Sequence, residues 1–142
     1  MICLLGEQER QIREDGERVY PNEACGMLLG SDVGGERQIR RVLPIENVFE
    51  AGERHHRFSI DPLDFLKAER EAEKSGLSVL GIYHSHPDHP AAPSEYDLRL
   101  AWPYYSYIIV SVEGGQSCGM TCWRLDADAG TFREERILPE DG

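Results

Sequence analysis

The chain has 142 residues, 40% apolar and 29% charged, with 15 basic against 26 acidic side chains and a net charge of -11. That length is one domain's worth (residues 1–142), enough for a real core, and the composition is that of a globular rather than a disordered protein. The acidic balance argues against a nucleic-acid partner, which wants a basic stripe, and no apolar run approaches the ~20 residues of a membrane-spanning helix.

The N-terminal stretch MICLLGEQERQ lacks a basic n-region and a full apolar h-region. No secretion signal is therefore expected, and the cytoplasm is the default compartment. Of the cations only Lys67 and Lys74 are lysine. An acidic, lysine-poor surface suits a salt-rich cytoplasm that screens self-repulsion.

In chain order, residues 7 to about 19 (EQERQIREDGERV) read as a charged helix broken by Pro21-Asn22. EACGMLLG reads as a short buried strand ending at Gly30. ERQIRRVLPIENV follows as a second strand after the Gly34-Gly35 turn, and HHRFSI as a third. Asp61-Pro62-Leu63-Asp64 is a helix start with Asp61 as N-cap and Pro62 in the first turn. That helix runs to Gly76, with Leu63, Phe65 and Leu66 expected to face inward. LSVLGIYHSH alternates as a strand. Another helix begins near Ser94, and YSYIIVSV, CGMTCWRL and TFREERIL complete the sheet. The fold class is α+β (mixed α/β), strands dominating and two or three helices flanking them.

The four cysteines, Cys3, Cys25, Cys118 and Cys122, are too few for a disulfide scaffold. Cys118 and Cys122 lie ~13 Å apart along a strand, too far for a bridge or a shared metal, and are read as buried structural thiols.

The densest chemistry is HSHPDHPAAPSEYD, residues 84–97. His84 and His86 leave the same face of a strand end, roughly 7 Å apart at Cβ, where two ring nitrogens can converge on one metal ion. The proline-rich turn is stiff and delivers Ser94 and Asp97 to a helix start, from which both can look back at the strand. Two histidines and a carboxylate leave a fourth position open, as in catalytic zinc sites. Taken singly, each part has a plainer reading: exposed strand histidines, an N-cap with an acidic third residue, a turn loop.

His-Ser-His, seven residues, then S-x-x-D resembles the metal motif of the JAMM, or MPN-plus, metalloproteases. Upstream, NEACGMLLG places Glu23, Gly26, Leu28 and Gly30 in the register E-x-x-G-x-L-x-G of that family. The resemblance extends over nearly the whole chain. It implies an MPN/JAMM-type curved β-sheet, cytidine-deaminase-like, flanked by two or three helices. It also implies one Zn2+ per chain held by His84, His86 and Asp97, with Glu23 as general base and Ser94 bonding the oxyanion. Asp88 and His89 match no ligand position and are read as rim residues, and His55 and His56 as solvated.

The resemblance implies cleavage of peptide or isopeptide bonds at the tail of a ubiquitin-like protein. The compact chain is more similar to short prokaryotic members that act on small β-grasp sulfur-carrier proteins. Those trim residues beyond Gly-Gly or release cysteine. An extended tail could bind by adding a strand to a sheet edge. Three other readings stay open: a hydrolase using Cys25 with a nearby histidine, Fe(II) chemistry on a two-His, one-carboxylate triad, and a non-catalytic MPN scaffold. None of them implies an oligomeric state.

Overall fold

A computed structural model describes residues 1–140. The chain begins with a strand, β1 (Ile2–Leu5), which leads into α1 (Gly6–Val19). An antiparallel pair follows, β2 (Cys25–Val33) and β3 (Glu36–Ile45), joined through Gly34 and Gly35, both at positive φ. A two-residue turn of this kind needs left-handed backbone, which glycine adopts without strain. Then come α2 (Pro62–Lys74), β4 (Ser78–Pro87), α3 (Glu95–Leu100), β5 (Ser106–Glu113), β6 (Gln116–Asp126), β7 (Thr131–Glu135) and β8 (Ile137–Glu140).

The strands form one sheet in the order β7-β6-β5-β4-β2-β3-β1-β8. The β4–β5, β1–β3 and β1–β8 pairs are parallel and the others antiparallel. β4 therefore lies in the middle, three strands from the β7 edge and four from the β8 edge.

Each face carries its own apolar cluster. On one, α1 contributes Ile12, which packs with Leu28, Leu80, Tyr83, Ile108 and Val110. On the other, Ala68 and Ala72 of α2 meet Met27, Leu29 and Val79, with Phe65 against the cluster edge. A bulge separates the two halves of β4: Leu28 pairs with Gly81 but Leu29 with Val79, so Leu80 is the extra residue. Because strand side chains alternate, this insertion switches faces. Val79, Ile82 and Cys25's partner His84 consequently share the α2 side, while Tyr83 and Ser85 turn toward α1.

The α2 boundaries follow from its caps. Asp61 accepts from Leu63 N (2.9 Å), Pro62 opens the helix, and Gly76 sits at φ 69° just past the end. Its inward face, however, is Phe65, Ala68 and Ala72; Leu63 and Leu66 are 65% and 43% exposed. The inward stripe follows the 65-68-72 spacing, which turns Leu63 and Leu66 outward.

HHRFSI is not a strand. Its backbone is bonded outside any ladder: Asn47 Nδ2 donates to Arg57 O, and Ser59 N donates to Asn47 Oδ1. TFREERIL is two strands rather than one, β7 and β8 at opposite edges of the sheet. Ile2–Leu5 is an inner strand that pairs along its length with β8 and through Ile2 and Cys3 with β3. Cys122 is buried as expected, but Cys118 is exposed.

Candidate metal centre

Three donor side chains converge at the C-terminal end of β4. His84 Nε2 and His86 Nε2 are 3.1 Å apart, His84 Nε2 is 3.2 Å from Asp97 Oδ1, and His86 Nε2 is 3.2 Å from Asp97 Oδ2. Both imidazoles are buried. Tetrahedral zinc with bonds of about 2.0–2.1 Å holds its donors roughly 3.3 Å from one another, so the set fits such an ion. His84, His86 and Asp97 form the only such group found among the described residues.

Each of the three side chains is oriented by its own chain neighbourhood. His86 Nδ1 lies 2.9 Å from Pro90 O, which makes Nδ1 the protonated nitrogen and leaves the Nε2 lone pair for a cation. The His84 ring stacks on Phe58, centroids 4.7 Å apart and planes at 23°. Its buried Nδ1 has no partner among the described residues. Asp97 is placed by the α3 start: Ser94 Oγ accepts from Asp97 N (3.0 Å), and Asp97 Oδ2 accepts from Ser94 N (2.9 Å). The proline loop between is stapled to β5 and β6 by Ser111 Oγ on His89 O and Thr121 Oγ1 on Ala91 O. Asp88, exposed and at φ 58°, accepts from Gly114 N and Tyr20 Oη and so latches the loop.

Charge at the site is set by competition between burial and pairing. For Asp97, burial would raise the carboxyl, but the bonds from His84 and His86 outweigh it and hold it far below the usual carboxylate range. For His86, burial favours the neutral ring, while Asp97 and Pro90 O together carry it above its ordinary value.

Glu23 lies two residues before β2 and is 6% exposed. By the β2–β4 register, in which Cys25 faces His84, it falls opposite His86 on the same face. Burial pushes its carboxyl above the ordinary value, against the pull of the two imidazoles. Ser94 is exposed at the α3 N-cap; its oxygen serves Asp97 N, and its O–H has no acceptor among the described residues. His55 is exposed, while His56 contacts Glu53 at 2.7 Å, away from the centre. The Cys25 thiol is buried, donates to Ile45 O, and is pushed up to about 12, which leaves no thiolate near neutral pH.

An aromatic groove of about 800 Å3 opens from His84 and Asp97 along the α2 side of the sheet. Phe58, Tyr96, Trp102, Tyr107, Trp123 and Phe132 line it, and Asp97 is its only carboxylate. Trp102 is 67% exposed at its mouth. The run WPYYSY before β5 was its available signal in the sequence, aromatic density in a loop that packs little of it. Because β4 is central, a strand added at either sheet edge would lie ~14 Å or more from the donors. The groove instead runs from the donors across the sheet face.

Residues 7–126 match the family model of prokaryotic homologs of the JAB domain. A Haloferax volcanii protein named desampylase is 35% identical over 90% of this chain and 86% of its own length. A Mycobacterium tuberculosis CysO-cysteine peptidase is 38% identical over 87% and 82%. A Thermus thermophilus protein named as a probable TtuB-protein conjugate cleaving protease is 38% identical over 68% of this chain, but only 61% of that relative's length. A solution structure from Desulfitobacterium hafniense superposes with TM-score 0.87 at 35% identity, covering 100% of this chain and 94% of the other. A JAB1/MPN domain protein from Archaeoglobus fulgidus shares the fold at TM-score 0.59 and 19% identity, over 99% and 95%. With the family model spanning most of its length and the site motif intact, the chain belongs to the prokaryotic JAB family.

Proposed function

We propose that the chain is a zinc-dependent peptidase or isopeptidase that cuts at the C-terminal tail of a small ubiquitin-like or sulfur-carrier protein. The observation that carries this reading is the buried Glu23 carboxyl standing across from a convergent His84–His86–Asp97 donor set at the end of an open groove. Relatives named for desampylation, CysO-cysteine cleavage and TtuB-conjugate cleavage support the substrate class.

His84, His86 and Asp97 would hold one zinc ion, which when bound acidifies water toward neutral pH and polarises the scissile carbonyl. Glu23 then takes the proton of the attacking water and returns it to the leaving amine. Its raised carboxyl brings its proton affinity nearer to working pH, as a general base and acid requires. Ser94 keeps its O–H free while its oxygen serves the helix cap, so it can donate to the developing oxyanion. Phe58 and Tyr96 wall the approach, and the near absence of charge along the groove favours a slim, uncharged tail such as Gly-Gly.

The test uses sulfur-carrier proteins extended or conjugated beyond Gly-Gly, incubated with zinc-loaded protein and read by mass spectrometry. Cleavage at the glycine pair is expected to stop in His84→Ala and with chelator. Glu23→Gln is expected to fall by 10²-fold or more while keeping its zinc, a loss of the size general acid–base catalysis supplies. Cleavage that survives both substitutions ends the mechanism. Stoichiometric iron with no zinc, in protein purified without added ions, would favour oxygen chemistry instead.

A further inference from the structure

We infer that Asn47 and Ser85 clamp the single peptide group between Glu23 and Ala24, and are positioning residues for Glu23 in the reaction proposed above. The inference rests on that reading of Glu23.

Among the described residues, none donates a hydrogen bond to the Glu23 carboxylate, so its aim depends on the backbone that carries it. That backbone stands just outside β2, beyond the regular ladder. Its polar groups are nevertheless all taken by distant partners. Glu23 N donates to Arg54 O (2.7 Å), and Ser85 N donates to Ala24 O (3.1 Å). The remaining pair belongs to one peptide unit and is held by two side chains. Asn47 Nδ2 donates to Glu23 O at 3.0 Å, and Ala24 N donates to Ser85 Oγ at 2.7 Å. Gripped at both its oxygen and its nitrogen, the plane cannot turn about the Glu23 ψ and Ala24 φ bonds without breaking one contact. Freeing that plane would let the Glu23 Cα, and with it the root of the side chain, leave its place opposite His86.

Neither side chain is replaceable by a generic polar one. The Asn47 amide also donates from Nδ2 to Arg57 O (3.0 Å) and accepts at Oδ1 from Phe49 N (3.0 Å) and Ser59 N (3.1 Å). Two carbonyls on one side and two N–H groups on the other satisfy the amide fully in one orientation, and a flip would oppose like with like. Asn47 thereby ties Glu23 to the segment bearing Phe58, which stacks on His84. Ser85 sits between the two ligand histidines but faces α1, fully buried. Gly16 leaves it room: a Cβ there would come within 3.3 Å of the Ser85 Cβ. The strand that presents the metal donors thus also fixes the distance to the base.

The experiment compares zinc-loaded Asn47→Asp and Ser85→Ala with the parent on a carrier extended beyond Gly-Gly. Asn47→Asp is isosteric and keeps the two accepted bonds while losing the donor to Glu23 O; Ser85→Ala tests the other end of the same peptide. Zinc per chain, far-UV circular dichroism, kcat and KM are measured. Each variant is expected to lose tenfold or more in kcat, with KM and zinc content within twofold of the parent. Added to Glu23→Gln, either change should cost nothing further, because both act through Glu23. A kcat within twofold of the parent in the folded variants overturns the clamp. So does loss of zinc in step with kcat, or an undiminished further loss in the Glu23→Gln background. Should Glu23→Gln itself retain parent activity, the general-base reading fails. An inactive Glu23→Gln beside fully active clamp variants fails the clamp alone.

Discussion

His86 and Asp97 touch through one contact, yet their protonation equilibria move in opposite directions from ordinary values. Asp97 is depressed and stays ionised at any working pH. His86 is raised, so in the metal-free protein it still holds a proton above its ordinary pKa of about 6.5. Metal binding must displace that proton. Zinc affinity should therefore fall as pH drops from about 8 to about 6, and calorimetry in two buffers of different ionisation enthalpy should show proton release. Affinity that does not change over that range would contradict the assignment. The two jobs proposed for Ser94, oxyanion donor and helix cap, both need its hydroxyl. Ser94→Ala should lower kcat on the order of 10²-fold by removing an oxyanion donor, and lower stability by about 1 kcal/mol by removing the α3 cap. Ser94→Thr, which keeps the hydroxyl, should preserve both; a Thr variant as slow as the Ala variant would sink the oxyanion role.

At the scale of elements, what was legible in the sequence depended on whether a local signal matched the tertiary outcome. The caps of α2 and the Gly34-Gly35 turn were readable because both satisfy backbone groups within a few residues. HHRFSI carried the residues of a strand, but Asn47 took up its Arg57 carbonyl and Ser59 N–H, and one asparagine after a strand gives no warning of that role. β1 escaped notice because four apolar residues at a chain start resemble nothing in particular until β3 and β8 flank them. The site was more legible than the sheet: His84, His86 and Asp97 do converge, while the stapling by Ser111 and Thr121 came from remote strands. Two substitutions check the packing. Gly26→Ala would drive a Cβ into the Tyr83 ring, whose hydroxyl donates to buried Asp15. It should cost about 1–3 kcal/mol, seen as a lower denaturant midpoint with unchanged slope. Leu66→Glu, on the exposed side of α2, should stay within about 0.5 kcal/mol of the parent. A large loss there would put Leu66 back in the core.

Over the whole molecule, 26 acidic side chains face 15 basic ones, and ion pairs such as Arg10–Glu14 and Arg41–Glu71 are exposed at both partners. Such pairs contribute little, while net repulsion acts across the entire surface. Added salt should therefore raise the unfolding midpoint; midpoints that fall with salt would show that pairing outweighs repulsion. The β4 bulge has a molecule-wide consequence as well. Side-chain alternation is a parity rule, and Leu80 is the one residue that resets it between the α2 contact at Val79 and the histidines. Straightening the bulge at constant length would leave His-Ser-His intact as text while turning Ser85 into the groove and both imidazoles toward α1. A relative with the same motif and strand length but no bulge would thus spell the centre without building it, whereas one lacking the extra residue would keep both histidines on the groove side; the irregularity between Val79 and His84 is as much part of the site as the letters are.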